Sequence, residues 1–465
     1  MLVKELRQGI QSGAFAWTFI GLQAVMFLIM AWMLALAGDG SAMQLREFNA
    51  LAWVAVGIAM AVVVPLRGLG AISAERAGSN LDLVRLTHLS ATRIVTGKWL
   101  ALVSQSLLLA AAVLPYLVLR YFFGGFDVFR ELEVFAWLAG AAMLVAAIAV
   151  ALSTLPLWLR IAAGVACVVP VVGALDDGSV FLFGPRGLGD PLFVRLGVAA
   201  LIAVYVVACL EFAAGRIAPA AENHAARKRL LALGIAAAWI AVATLGSDDA
   251  SRATMLTTGP LVACFCVGAL VERPTRLVTV VAPFARRGLP GRLAARLFAP
   301  GWATGLLFVA VAWCLFTTGF HVFRDRHVSG DPLVTWTMPC LLAATLVFPL
   351  PLVVYLPRAR MPLLLYALAQ LVCFMVFVWS GAFMPASRSW HESSAWVTVL
   401  PFPLAALLTF GGLQDDAIMA EYAMPFLNAA LFGLAVTLAA VAVPWVREQR
   451  ALGALLAATR RGRDA

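Results

Sequence analysis

The chain has 465 residues, of which 63% are hydrophobic and 12% are charged, and its mean hydropathy is +0.94. Soluble domains are about half apolar and about a quarter charged, so this composition excludes a water-soluble globular protein and places the surplus apolar surface in lipid. In a membrane protein, topology and contact with anionic lipid headgroups explain the formal net charge of +10 better than nucleic acid does, so nucleic acid is not expected as a partner.

Apolar runs long enough to cross a bilayer as helices recur along the whole chain. The runs are apolar on every face, unlike the alternating strands of a membrane β-barrel. The predicted fold class is therefore all-α, a polytopic membrane protein with about twelve transmembrane helices. The predicted spans are residues 15–38, 50–66, 99–119, 133–154, 157–175, 192–213, 230–246, 253–271, 302–320, 333–356, 361–384 and 424–446.

Two features flank the regular spans. Residues 2–12 place apolar side chains at helical spacing between charged ones, which predicts an amphipathic helix on the membrane surface. The apolar stretch from Ala14 to Gly38 is too long for a signal peptide and predicts an uncleaved first span. Residues 396–411 are apolar but short and interrupted by prolines, which favours a re-entrant segment.

The distribution of charge predicts the orientation of the chain. If the N-terminus is cytoplasmic and the twelve spans alternate, most Lys and Arg residues fall in the inner segments and most Asp and Glu residues in the outer ones. This is the positive-inside pattern, and the reverse topology would invert it. We therefore predict a multi-pass protein of the plasma (inner) membrane with both termini in the cytoplasm.

The order of loops indicates an internal duplication. Long basic inner segments, residues 67–98 and 272–301, follow the second and the eighth predicted spans. A cytoplasmic link at 214–229 separates the two sets of six. Parallel duplication of a six-helix unit is a known way to build a transporter, so we predict a first half at 1–220 and a more divergent second half at 221–465.

The polar residues within the spans are few. All seven cysteines lie inside predicted spans without a Cys-x-x-Cys pair, so they indicate packing and neither a disulfide framework nor a metal site. Gln23, Gln105 and Gln370 are isolated amides, which in membrane helices usually form hydrogen bonds between helices. No cofactor is expected to bind this chain.

The segment from Glu75 to Lys98 is the most informative polar stretch. Its charges keep it out of the bilayer, yet apolar residues between Leu81 and Leu89 can form a stripe on a short helix. Such a helix either rests on the membrane surface or is held by a partner protein. Ser90 is a candidate cap for the helix that becomes the third span.

This segment resembles the cytoplasmic coupling segment of ABC-2 type transporter permeases, whose pattern is approximately E-R-E-x-G-T-L-E-L-L-x-x-T-P-L-S-x-x-x-I-x-x-G-K. The chain departs from it most clearly at Ala77, Ser79, Asn80 and His88. The resemblance is specific over these residues and general over 1–220. The positions in register are Glu75, Arg76, Leu81, Asp82, Leu83, Thr87, Leu89, Ser90, Ile94, Gly97 and Lys98.

In that family the coupling segment docks on a separate ATP-binding subunit, and the resemblance implies the same here. The charged residues Glu75, Arg76, Asp82 and Lys98 would contact the ATPase or fix the loop. The leucines at 81, 83 and 89 would supply apolar contacts. The implied partners are an ABC-type ATP-binding subunit carrying ATP and magnesium, membrane lipid, and either a second permease chain or a second copy of this one.

The chain itself contains no Gly-x-x-x-x-Gly-Lys-Ser/Thr motif, so the resemblance implies a permease without its own ATPase. Its matching segment in the second half begins Glu272-Arg273-Pro274, and Pro274 leaves ATPase contact there open. Export is the commoner direction in the family. The apolar spans suit a hydrophobic or amphiphilic substrate, whose identity stays open.

Two alternatives remain. A secondary transporter of the major facilitator type also has two six-helix halves, but its loop after the second span is a tight turn, and its spans tend to hold ionisable residues. A membrane-embedded enzyme would need a site such as His321, Asp325 and His327, whose spacing is a weak metal signature.

Overall fold

The computed structural model describes residues 2–37, 51–73, 90–122, 128–157, 160, 192–219, 221–246, 248–327, 332–356, 362–382, 407 and 416–464. Over these residues the chain contains helices and no strand. Its helix contacts divide it into two compact units, Met1–Pro219 (unit 1) and Ala220–Ala465 (unit 2). Whether these units are the six-helix halves of a duplicated transporter stays a prediction.

Unit 1 begins with the short amphipathic helix expected at the N-terminus, α1 (Leu2–Ile10). A long apolar helix, α2 (Gly13–Ala37), follows after a turn in which the Ser12 hydroxyl accepts a hydrogen bond from the Phe15 amide at 3.3 Å. The remaining helices are α3 (Leu51–Ser73), α4 (Ala91–Phe122), α5 (Val128–Leu152) and α6 (Leu192–Ile217).

Unit 2 contains long helices and several short ones. The short helices are α9, α10 and α13, and α15 is the longest helix at 49 residues. In chain order they are α7 (His224–Leu245), α8 (Asp248–Val271), α9 (Val278–Ala285), α10 (Gly288–Phe298), α11 (Trp302–His327), α12 (Pro332–Val347), α13 (Leu350–Tyr355), α14 (Pro362–Ala382) and α15 (Asp416–Asp464).

Nine helices of the described chain are long and apolar enough to cross a membrane, and each coincides with a predicted span. Shorter apolar stretches, Thr257–Val271 and Pro362–Met375, occupy two further predicted spans. The span expected at 157–175 and the re-entrant segment at 396–411 lie almost wholly outside the described residues. The architecture is that of an all-helical, multi-pass membrane protein, and the count of twelve stays a prediction.

The exposed surfaces of these helices fit a lipid environment. Large apolar side chains such as Trp17, Leu34 and Phe432 point away from the packed interior. Soluble monomers rarely expose extended apolar surface of this kind. The buried core of unit 1 lies between α2, α3, α4 and α5, around residues such as Met26 and Met60.

Prolines interrupt several helices, and side chains from neighbouring helices bind carbonyl groups near the breaks. Pro349 separates α12 from α13 and has no amide hydrogen to donate to the Thr345 carbonyl four residues earlier. The Gln370 amide of α14 donates to that carbonyl at 2.7 Å. In a bilayer, where water is absent, such a substitute donor is required, and it confirms the interhelical role predicted for Gln370.

In α15 and in α3, too, a side chain from another helix donates to a carbonyl group near a proline. Pro444 leaves the Ala440 carbonyl without its helical donor, and the Tyr355 hydroxyl donates to it at 2.6 Å. Residues Ile58–Val63, directly before Pro65, form a π-helical stretch in α3. There the buried Ser106 hydroxyl of α4 donates to the Met60 carbonyl at 3.0 Å.

Candidate functional site

The coupling segment predicted from the sequence is only partly covered by the structure. Ser90, Ile94, Gly97 and Lys98 are described, and they lie at the start of α4. The other predicted contact residues lie outside the described residues, and their role as an ATPase interface stays a prediction. They are Glu75, Arg76, Leu81, Asp82, Leu83, Thr87 and Leu89.

Ser90 begins α4, as the sequence predicted. Its hydroxyl accepts a hydrogen bond from the Arg93 amide at 3.4 Å, and its carbonyl accepts one from the Ile94 amide at 3.2 Å. Serine is a preferred residue at this position because its side chain binds an amide that has no partner within the helix. Ile94 and Gly97 are buried, so the first turns of α4 are packed inside unit 1.

Lys98 lies two turns into α4 and is almost fully buried, with 4% of its side chain exposed. Its Nζ atom lies 3.2 Å from Oε1 of Glu5 in α1, and the Glu5 side chain is 23% exposed. A buried ammonium group needs a charged or polar partner, and the N-terminal helix supplies it. Lys98 therefore binds within unit 1, the arrangement expected of a residue that fixes the loop.

Arg67 lies in a 3-10 turn near the end of α3 and also binds α1 and α4. Its guanidinium donates to Oε1 of Gln105 in α4 at 2.9 Å and to the Gly9 carbonyl in α1 at 3.2 Å. It also donates to the Ser12 hydroxyl. A planar guanidinium can bind several acceptors at once, so one side chain connects α1, α3 and α4.

We call Glu5, Ser12, Arg67, Lys98 and Gln105 the unit 1 junction. Arg67 precedes residues 74–89, and Lys98 follows them in the chain. Both of these cations bind α1, so residues shortly before and shortly after this segment contact the same short helix. Gly9 has no side chain to obstruct this approach, since a Cβ atom there would collide with the Gln105 amide.

A third cation binds the end of α3. Arg160 donates to the Ser73 hydroxyl at 2.9 Å and to the Leu155 carbonyl at 3.0 Å. Ser73 is the last described residue before 74–89. The point at which the chain leaves α3 is therefore also held by side-chain hydrogen bonds.

Unit 2 contains a second, more deeply buried polar cluster around Arg229, which has 2% of its side chain exposed. Nη2 of Arg229 lies 2.8 Å from Oε2 of Glu272, directly after α8. The same guanidinium donates to Thr304 Oγ1 in α11 and to three carbonyl oxygens, one at the end of α10 and two in the turn before α11. Those acceptors are Leu297 at 2.6 Å, Ala299 at 2.9 Å and Gly301 at 3.1 Å, with Thr304 at 3.0 Å.

We call Arg229, Glu272, Gly301 and Thr304 the unit 2 junction. Glu272 stands at the start of the inner segment 272–301, and Gly301 stands at its end. Because Arg229 binds both, a single α7 side chain ties the two ends of that segment together. The Phe308 ring lies 5.7 Å from the guanidinium carbon, which adds a cation–π contact to the cluster.

The backbone at Gly301 strongly favours glycine. Its φ of +142° lies in a region that L side chains rarely adopt. A Cβ atom at this position would also lie 3.1 Å from the Pro274 Cα atom. The glycine thus allows the chain before α11 to pass close to the chain after α8.

Sequence reasoning missed the role of Arg229, which it placed in a cytoplasmic link at 214–229. In the structure α7 already begins at His224, capped by Asn223, whose side chain accepts a hydrogen bond from the Ala226 amide at 3.1 Å. The Asn–x–x–Ala spacing was an available capping signal. Nothing in the run Arg227–Arg229 distinguished the buried arginine from its neighbours.

The structure describes only part of the cluster of His321, Asp325 and His327 that a membrane-embedded enzyme would need. His321 packs its ring against Trp336, with ring centroids 4.1 Å apart. The side chains of Asp325 and His327 lie outside the described part of the chain. Among the described residues, no group of three His, Cys, Asp or Glu side chains is placed to hold a metal ion.

Both junctions consist of charged groups bound to one another and to carbonyl oxygens, an arrangement that holds helix ends together. No protein-family model, no curated protein and no solved structure matches this chain. We therefore infer the function of this chain from the predicted coupling segment and from the two junctions.

Proposed function

We propose that the chain is the permease subunit of an ABC-2 type transporter that exports a substrate across the plasma (inner) membrane. It would be driven by a separate ATP-binding subunit docking on residues 75–98, with ATP and magnesium bound by that partner. The observation that carries the proposal is the match of the segment Glu75–Lys98 to the family pattern. The matched Lys98 is buried and paired with Glu5, which fits a segment fixed to the permease.

The unit 1 junction supports a mechanical role for this segment. Movement imposed on residues 74–89 by a partner would reach the helices through their ends, at Ser73 and Ser90. Arg67 and Lys98 connect those ends to α1 and α4 through hydrogen bonds and an ion pair. Because these connections are short and partly buried, displacement of the loop would move several helices as a group.

The unit 2 junction supports the proposal of two related halves. In each unit, side-chain contacts hold residues near the ends of the connection between the second and the third long helix. In unit 1 these contacts go to the short helix α1, and in unit 2 to the first long helix, α7. The residues differ, since α1 offers Glu5 where α7 offers Arg229. The similarity lies in the arrangement, as expected of a divergent duplication with six spans in each half.

The experiment is affinity purification of the full chain from its native membrane under mild detergent. We expect an ATP-binding chain to co-purify and to hydrolyse ATP in a vanadate-sensitive reaction. The double variant Leu81→Asp/Leu83→Asp should lose this chain, since it places charge at two of the apolar contacts that the resemblance implies. A matched control, Ser79→Ala/Asn80→Ala, changes two positions where the chain departs from the family pattern and should retain the partner.

Two results would contradict the proposal. One is a purified chain that carries no ATP-binding partner and that takes up substrate in proteoliposomes driven by a proton gradient alone, as a major facilitator would. The other is loss of an enzymatic activity on replacing His321, with the protein still assembled. Retention of the ATP-binding chain by the Leu81/Leu83 variant would place docking elsewhere.

A further inference from the structure

The outer face of α10 combines arginines with exposed leucines. Leu289 is 73% exposed and Leu293 is 63% exposed, although both are large apolar residues. Arg292 and Arg296 are exposed on the same helix, and Arg286 is exposed directly after α9, two residues before α10 begins. We call these five residues the α10 face.

The opposite side of α10 is packed, which fixes the direction of the α10 face. Gly291 and Ala295 are buried, and Ala295 belongs to a small core with Val281 of α9 and Leu456 of α15. Gly291 approaches the Phe284 backbone so closely that a Cβ atom would collide with it. The helix therefore cannot turn its leucines inward without breaking this packing.

The sequence that contains α10 carries charge of one sign. From Arg273 to Arg324 the sequence contains no aspartate or glutamate. The ion pairs that the structure describes in this part of unit 2 are Arg229–Glu272 and Arg276–Glu448. None of the three arginines of the α10 face takes part in an ion pair within the described chain.

The α10 face lies next to the end of a candidate membrane span. α10 ends at Phe298, and the span Trp302–Arg324 begins four residues later. The intervening turn is held by Arg229 through the Ala299 and Gly301 carbonyls. A helix so close to the end of a span lies at the level of the lipid headgroups.

We propose that the α10 face binds anionic phospholipids of the adjacent leaflet. The Leu289 and Leu293 side chains enter the boundary between headgroups and acyl chains, and the arginines bind the phosphates. Leucines that enter the acyl boundary and arginines that meet anionic headgroups are the residue types with which interfacial helices bind a membrane. Their long apolar stems let arginines keep the charge among the headgroups while the stem contacts lipid.

The two leucines favour lipid over an acidic soluble partner. A purely electrostatic protein contact would be served by the arginines, and exposure of two leucines between them to water would only be unfavourable. In the interface the same leucines are buried in acyl chains. The proposal depends on α11 crossing the membrane and not on ATP as the energy source.

The first test measures lipid preference. The full chain in detergent is titrated with an equal mixture of phosphatidylglycerol and phosphatidylcholine, and retained lipids are counted by native mass spectrometry. A basic residue near an anionic surface contributes about fivefold in affinity. We therefore expect Arg286→Gln/Arg292→Gln/Arg296→Gln to lose most of the preference for phosphatidylglycerol, and the corresponding Lys substitutions to keep it.

The matched control removes the same charge from the end of α15 with Arg450→Gln/Arg460→Gln/Arg461→Gln, which leaves the α10 face intact. We expect it to retain the preference. An equal loss in the control would mean that net charge alone attracts the lipid, and full preference in the α10 variant would mean that lipid binds elsewhere. Either result overturns the proposal.

The second test measures how deeply positions 292 and 293 lie in the membrane. It does not require any variant to lose lipid binding. A spin label at Leu293→Cys, in a chain whose native cysteines are replaced, is studied in vesicles of phosphatidylcholine and phosphatidylglycerol. We expect high accessibility to oxygen and low accessibility to a water-soluble nickel chelate, and the reverse for Arg292→Cys. Equal chelate accessibility at both sites, or shielding of Leu293 from both reagents by a co-purified protein, overturns the proposal.

Discussion

Lys98 and Glu5 are 93 residues apart in the chain, and their side chains form an ion pair of 3.2 Å between Nζ and Oε1. This pair attaches the N-terminal amphipathic helix to the start of α4. Because Lys98 is nearly fully buried, the ammonium depends on Glu5 and its other protein contacts for stabilisation. The pair connects a surface helix with the segment proposed to receive an ATP-binding subunit.

Replacing Lys98 with Met should weaken both stability and coupling. Breaking a fully buried pair costs about 3–5 kcal/mol, and the partial exposure of Glu5 reduces our expectation to about 1–3 kcal/mol. The measurement is thermal denaturation in detergent, together with substrate-stimulated ATPase activity of the purified complex. The control Lys4→Met removes an exposed lysine from α1, the helix that carries Glu5. Equal stability of the Lys98 variant would contradict the structural role of the pair.

Arg229→Lys should destabilise unit 2 although it keeps the charge. A lysine can reach fewer than the five acceptors that the guanidinium binds, and lost hydrogen bonds to buried carbonyls cost about 1–3 kcal/mol each. We expect a lower midpoint of thermal denaturation and earlier proteolysis between α8 and α11. The exposed neighbour offers a matched control, Arg227→Lys, which should behave like the unaltered chain.

Gly301→Ala should be destabilising because the backbone at this position requires φ of +142°. A residue with a side chain in this region stores about 1–3 kcal/mol of strain, and its Cβ atom would meet Pro274. The control is Gly234→Ala in α7, where a Cβ atom would have nothing within 4 Å. We expect that control to be neutral or to stabilise by up to about 1 kcal/mol. Thermal denaturation distinguishes the two.

Gln370→Leu should loosen the break between α12 and α13, since it removes the donor to the Thr345 carbonyl. Hydrogen bonds between membrane helices contribute about 0.6 kcal/mol on average and at most about 1.7 kcal/mol. We expect an effect near the upper value because Pro349 offers no alternative amide. Tyr366→Phe removes the neighbouring hydrogen bond to the Leu346 carbonyl. Combined with Gln370→Leu, it should lower the stability further. Stability equal to that of the unaltered chain would mean that another group binds this carbonyl.

The orientation of the chain can be tested directly. The positive-inside pattern predicts that a fluorescent protein fused after Ala465 folds in the cytoplasm and fluoresces. The same pattern places residues 176–191, between the fifth and the sixth predicted spans, outside the cytoplasm. An alkaline phosphatase inserted there should be active, because that enzyme requires export. Activity of phosphatase fused after Ala465 would reverse the predicted topology.

Much of the fold was predictable because membrane spans leave a strong local signal. The nine candidate spans of the described chain, the amphipathic helix α1 and the cap at Ser90 all coincide with sequence patterns. The amides of Gln23 and Gln370 also bind across helices as expected, Gln23 to the Ala112 carbonyl at 3.3 Å. These predictions depend only on a residue and its near neighbours in the chain.

The candidate site was less predictable. Lys98 was a matched position of the coupling segment, but its partner Glu5 could not be inferred from either neighbourhood. Arg229 looked like one of three solvated cations, and the short helices α9 and α10 lay within a segment identified only as long and basic. Each of these features depends on which residues, far apart in the chain, the tertiary structure brings into contact.

By itself the sequence determined that this protein is helical and spans a membrane, because the apolar length of each run is a local property that lipid imposes. Only the tertiary structure decided which polar groups are buried together, that Lys98 binds α1 and that Arg229 closes the segment between α8 and α11. The physical reason is that a buried charge is stable only beside partners supplied by other helices, and those partners are chosen by packing.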